Sequence, residues 1–271
     1  MKAYKKNFDL LKKNNVYSED MEHDACGVGL IASTEGKKSR NVVEYGIEAL
    51  KAVWHRGAVD ADGKTGDGAG IHVEIPKDFF IEKIEVTGHT HDNSEICVGM
   101  IFLPRNDYAA QESCKTIVES ELTKNDFNIY GWRQVPVNPK VLGEKAFQTM
   151  PEIIQVLFKP HNKELTNKDL ERKIYETRRK IENEAFKKSL NNFYICSLSS
   201  KSIIYKGMFL AEAISEFYLD LNSTWIISGI VWNAFSPKTF GLTGTCLQPY
   251  MLKSFFVNSL STIVLQLSCA A

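Results

Sequence analysis

The distribution of charge constrains this chain more than any other feature. It carries 33 basic and 33 acidic side chains, and all but Lys238 and Lys253 fall within residues 1–221. A globular domain needs charged surface along its whole length, so the chain divides at about residue 221 into a domain-like part and a charge-poor tail. The tail reads either as a very buried core piece or as sequence from outside the original reading frame. A second boundary lies near the start, where residues 1–25 are polar and mixed in charge and give way abruptly to an apolar run, Ala25–Ala32.

That run reads as a buried strand, with glycines where something approaches closely. Val43, Ile47, Leu50 and Trp54 recur at helical spacing, so 40–55 is expected to be a helix ended by Gly57. Residues 60–70 hold four glycines among small polar residues and read as a loop. Strands are expected at 71–75 and 97–103, and a helix at 107–123. A long charged amphipathic helix over 165–191 carries Leu170, Ile174, Ile181 and Leu190. A strand pair is expected at 192–198 and 202–205. Few parallel cues accompany these strands, which favours an α+β layered domain.

The equal count of acids and bases gives no reason to expect a nucleic acid or anionic membrane partner. No apolar run reaches 18 residues, so no membrane span is expected. The basic N-terminus has neither the apolar core of a signal peptide nor the acid-free character of a transit peptide. The cysteines, at 26, 97, 114, 196, 246 and 269, are widely spaced without a Cys-x-x-Cys pair. Reduced thiols in a cytoplasm-like compartment follow, with a plastid the eukaryotic alternative.

Cys26 admits two readings. It is a small buried hydrophobe on a core strand, or it is a nucleophile. The second reading needs a base. If residues 1–25 were removed, the freed α-amine, titrating at about 7.7–8.0, could take the proton of a thiol near 8.5. Gly27 would then let substrate approach the backbone. His55 and Arg56 read either as cations at a helix C-terminus or, for Arg56, as a bidentate partner of a carboxylate. Loop 62–70 contains Gly63-Lys64-Thr65, but the phosphate-binding pattern needs a glycine where Val59 stands. His89 and His91 lack a third well-spaced metal ligand and read as a solvated loop. No metal is expected.

Several segments in order resemble one family. They are Cys26-Gly27-Val28-Gly29, Trp54-His55-Arg56-Gly57-Ala58, Asp62–Gly70, Val98-Gly99-Met100, Tyr130–Arg133, Val135-Pro136 and Leu142-Gly143. The series continues with Phe193–Ser199, Ile204–Gly207 and Phe217–Leu221. The set resembles the class II glutamine amidotransferase domain that opens the large subunit of glutamate synthase. The 62–70 loop and the 130–136 segment favour it over class II relatives serving purine or asparagine synthesis.

The resemblance implies a four-layer αββα sandwich of two antiparallel sheets, of the N-terminal nucleophile type and incomplete here. It implies a propeptide at 1–25, an amidotransferase domain at 26–221 and a divergent tail at 222–271. It implies hydrolysis of glutamine through a γ-glutamyl thioester on Cys26, with Arg56 and Gly27 at the substrate. His55, Gly57, Gly66, Asp67 and Gly68 would stand nearby as structural residues. No cofactor is expected in this chain; FMN and an iron–sulfur cluster would belong to later synthase domains. The partners implied are those domains and a small NAD(P)H-oxidising subunit. After Leu221 the family's Arg-bearing segment and its Asn-Gly oxyanion pair cannot be placed, and no Arg follows Arg179. Residues 222–271 are therefore expected to be out of frame, and a catalytically inactive fragment is the alternative.

Overall fold

A computed structural model describes residues 27–33, 35–52, 59–66, 68–222, 228–233 and 263–268. Two antiparallel sheets form its centre. The first has the order β7-β2-β8-β1-β9, with β1 at Gly27–Ala32, β2 at Ala69–Glu74, β7 at Ser202–Gly207, β8 at Ser228–Asn233 and β9 at Ile263–Ser268. The second has the order β4-β5-β3-β6, with β3 at Cys97–Leu103, β4 at Phe127–Gln134, β5 at Glu152–Pro160 and β6 at Tyr194–Ser199. Helix α1 (Arg40–Ala52) packs on β1 and β8. Helices α3 (Tyr108–Lys124) and α5 (Asn167–Lys187) pack on the second sheet and on each other. Helices α2 (Lys77–Val86), α4 (Glu144–Thr149) and α6 (Ile214–Phe217) fill the connections. This is the layered α+β sandwich expected, with both sheets left open at their edges.

Strand β3 shows why its sequence, Cys-Val-Gly-Met-Ile-Phe-Leu, is apolar throughout. Cys97, Ile101 and Leu103 face a core shared with Ile117, Val118 and Leu122 of α3 and Ile174 and Ile181 of α5. Val98 and Met100 point the other way, into the core shared with Ile71, Val73 and Tyr205 of the first sheet. A strand covered on both faces cannot alternate with polar residues. Helix α5 begins where the Thr166 hydroxyl accepts the Asp169 amide, and it buries Leu170, Ile174, Thr177, Ile181 and Ala185 along one stripe.

The expected strand pair at 192–205 has a different role. β6 pairs with β3 and β7 pairs with β2, so these consecutive strands carry the chain from one sheet to the other. The turn between them is held by the Glu171 carboxylate. It accepts from the Ser199 hydroxyl and from both the amide and hydroxyl of Ser200. The charge-poor tail also contributes: its two described segments are β8 and β9, one on each side of β1.

A second polar anchor ties residues 217–222 to the second sheet. Arg133 on β4 donates to both carboxylate oxygens of Asp220, at 2.7 and 3.1 Å, and to the Gln155 side chain at 2.6 Å. Asp220 is buried and Arg133 largely so, with side-chain exposures of 5% and 13%. The backbone around it is paired too, Asn138 to Phe217 and Leu219 to Pro136. Arg40 of α1 donates to the Leu221 carbonyl.

Candidate functional site

Strand register brings one group of expected site residues together. Gly27 on β1 stands opposite Asn233 on β8, and Asn233 stands opposite Ala69 on β2. Neighbouring strands lie about 4.8 Å apart, so Ala69 is roughly 10 Å from Gly27 across the sheet. The chain enters Ala69 from Gly66 and Gly68, so the glycine loop arrives at the end of the sheet where β1 begins. Gly68 has φ of +138°, a conformation that side-chain-bearing residues rarely adopt. Gly66 is packed against backbone: a Cβ there would stand 2.8 Å from the Phe209 carbonyl oxygen. Cys26, His55, Arg56, Gly57 and Asp67 lie outside the described residues.

The loop is a closed unit stabilised by Asp62. Its Oδ1 accepts the amides of Lys64 (2.9 Å) and Thr65 (2.7 Å), and its Oδ2 accepts the Thr65 hydroxyl at 2.6 Å. The Thr65 hydroxyl, and then the two amides, hold the Asp62 carboxyl well below the usual carboxylate range. Asp60 and Thr65 pair through the backbone at 2.8 Å, and Val59 bridges to Gly66. Lys145 on α4 donates to Asp60 at 2.8 Å and lowers its pKa likewise. The Gly63-Lys64-Thr65 tripeptide therefore spends its amides inside the loop, where they cannot cradle a phosphate.

The described cysteines offer no nucleophile. Cys97, Cys114 and Cys196 are buried thiols. Burial pushes the Cys97 thiol well up and that of Cys114 to about 11, so neither is a thiolate near neutral pH. Among the described residues no group of three or more His, Cys, Asp or Glu side chains could hold a metal ion. The His89–His91 loop is tied up locally. Asp92 is bound by Lys159 and Lys163, and His91 faces the Tyr130 hydroxyl. A cavity of about 400 Å³ lies beside His72, Glu74, Lys77, Glu95 and Ser202. It sits at the far end of β2 from Ala69 and so is distinct from the Gly27 end. No described helix is long and apolar enough to cross a membrane.

Sequence reasoning missed Gly143, Lys145 and Ala146 as partners of the loop. They lie some 80 residues away, and the one local signal was a glycine at a helix start where a capping side chain is usual.

A two-sheet sandwich whose first strand opens at position 27, next to a glycine loop, agrees with what family comparison finds. The profile of the class-II glutamine amidotransferases matches residues 26–249, and the chain belongs to that family of enzymes. Within it, the similarity is to glutamate synthases. The chain is 54% identical over 218 residues to the glutamate synthase [NADPH] large chain of Azospirillum brasilense, covering 80% of this chain and 14% of that one. It is 41% identical over 204 residues to ferredoxin-dependent glutamate synthase 1, chloroplastic/mitochondrial, of Arabidopsis thaliana, covering 74% and 12%. The chain thus spans only 12–14% of the length of these relatives.

Proposed function

We propose that this chain is the glutamine-hydrolysing, ammonia-supplying domain of a glutamate synthase, with Cys26 as its nucleophile once residues 1–25 are removed. The observation that carries the reading is the coincidence of three positions. The family match begins at Cys26, β1 begins at Gly27, and the register brings the glycine loop to that end of the sheet.

In this mechanism the freed α-amine of Cys26 takes the thiol proton. The thiolate attacks the side-chain amide carbon of glutamine, and the α-ammonium returns the proton to the departing ammonia. A γ-glutamyl thioester remains. Water, deprotonated by the same amine, attacks the thioester; glutamate leaves and the thiol is regenerated. Arg56 holds the glutamine α-carboxylate, and Gly27 admits the substrate to the backbone beside the sulfur. The ammonia passes to synthase domains that are not part of this chain. Those domains would hold FMN and an iron–sulfur cluster and would work with a small NAD(P)H-oxidising subunit. A cytoplasmic location, or a plastid in a eukaryote, accords with this role.

A second reading is supported by the tail. Residues 222–271 contain no Arg, His, Asp or Glu, so they supply no guanidinium to hold a substrate carboxylate in a bidentate contact. On this reading the chain is a fragment that folds without turnover because its reading frame is disrupted after about residue 221. Intact-mass measurement and a glutaminase assay separate the two. The first reading expects loss of residues 1–25, release of ammonia from glutamine, and abolition of both by Cys26→Ala. An unprocessed, soluble, inactive protein, with a gene that shifts frame after codon 221, establishes the second. Full turnover by protein that retains residues 1–25 contradicts the first mechanism.

A further inference from the structure

Helix α4 starts in an unusual way. Its N-cap is Gly143, which has no side chain to accept a first-turn amide, and no side-chain cap bond is made there. A Ser or Thr at this position would normally accept the amide three residues on. That amide, of Ala146, donates instead to the Thr65 hydroxyl at 3.3 Å. The same hydroxyl donates to Asp62 Oδ2 at 2.6 Å, so both its hydrogen-bonding roles are used. Gly143 is what allows this. A Cβ on Gly143 would stand 2.5 Å from the Thr65 amide nitrogen and nearer still to Asp62 Oδ2 and Thr65 Oγ1. The glycine loop therefore caps α4 from a distance, and Lys145 ties the same helix to Asp60.

On the other side the loop runs directly into Gly66, packed on the Phe209 carbonyl, and then to Ala69 in register with Gly27's partner strand. We propose that Asp62, Thr65 and Gly143 form a positioning clamp that fixes Gly66 and Gly68 at the mouth of the glutamine site. They are positioning residues: they touch each other, and they act through the glycines that follow. The inference rests on the glutaminase reading above and adds to it the elements that hold one wall of that site in place.

The magnitude follows from the geometry. Relieving a 2.5 Å approach to ordinary van der Waals separation requires the loop to move by about 1 Å, and a displacement of that size at a reacting site costs roughly 10²-fold in rate. The test uses the full chain and a diazoketone analogue of glutamine that alkylates a cysteine in the glutamine site. Iodoacetamide labelling of Cys26, read by peptide mass spectrometry, serves as the reference. Gly143→Ala and Thr65→Val are expected to slow analogue labelling by roughly 10²-fold, with iodoacetamide labelling within about 3-fold of wild type. Thr65→Ser keeps the hydroxyl and is expected to restore analogue labelling.

Thr65→Val labelled at the wild-type rate overturns the clamp. So does Thr65→Ser labelled as slowly as Thr65→Val. If Gly143→Ala does not fold, the Thr65 pair alone decides. If the analogue labels no Cys26 even in wild type, the glutaminase reading fails, and hydrogen exchange judges the clamp on its own. Faster exchange of amides 66–69 in Thr65→Val than in Thr65→Ser then supports it, and equal exchange overturns it.

Discussion

Removing the Asp220 carboxylate should be among the most damaging single changes in the second sheet. Arg133 has 13% of its side chain exposed, and its charge is matched by Asp220, with Gln155 as a neutral second acceptor. Asp220→Ala leaves a largely buried guanidinium without its carboxylate. Breaking a buried pair from one side costs about 3–5 kcal/mol. For a domain of this size each kcal/mol lowers the thermal midpoint by about 2–4 °C, so a fall of roughly 6–20 °C is expected. Arg133→Met should cost a similar amount, because it leaves Asp220 unpaired. The double variant Arg133→Met with Asp220→Leu removes both charges and should recover most of the loss, since apolar replacement of a whole buried pair is often neutral. Calorimetry on these proteins and on Asp220→Leu alone, which closes the cycle, measures the coupling. A fall below about 2 °C for Asp220→Ala, or strictly additive losses in the double variant, would refute the claim that this pair is desolvated and mutually dependent.

Three further outcomes are expected. His72 on β2 has neither ring nitrogen partnered, and burial lowers its pKa. The unfolded chain then takes up the proton first, so stability is full above about pH 6.5 and falls below it, by at most about 1.4 kcal/mol per pH unit. Denaturant titrations at several pH values should show that slope reduced in His72→Phe. Native protein treated with iodoacetamide near neutral pH should leave Cys97, Cys114 and Cys196 unmodified, as peptide mass spectrometry would report; rapid labelling of Cys97 would contradict its burial. Gly99→Ala would place a Cβ 2.6 Å from Val156 Cγ1 and 2.7 Å from Leu198 Cδ1, and the repacking should cost about 1–3 kcal/mol by chemical denaturation.

Residues whose surroundings are local were legible in the sequence. Strand β3 appeared with its observed bounds because seven apolar residues admit little else. Helices α1 and α5 appeared because their apolar stripes repeat at helical spacing. Strands β6 and β7 were found, but their separation into two sheets was not, because nothing in either strand records which distant partner it meets. Strands β8 and β9 were hidden for a related reason. Their segments were visible only as a region poor in charge, and each pairs with a strand about 200 residues earlier. At the candidate site, the glycine loop was recognised as tight and structural. Its dependence on Gly143 was not, because one glycine gives no sign that its missing side chain is another residue's space.

The strand order also sets a timetable. β1 has β8 on one side and β9 on the other, so both its neighbours in the sheet are made about 200 residues after β1 itself. On a ribosome β1 must wait, with its hydrogen-bonding edges unfilled, until residues 228–268 emerge. Contacts of such long range form slowly. A chain that stops at residue 222 never seats that strand. Any maturation event beside Gly27 would accordingly be postponed until the chain has been made through residue 268.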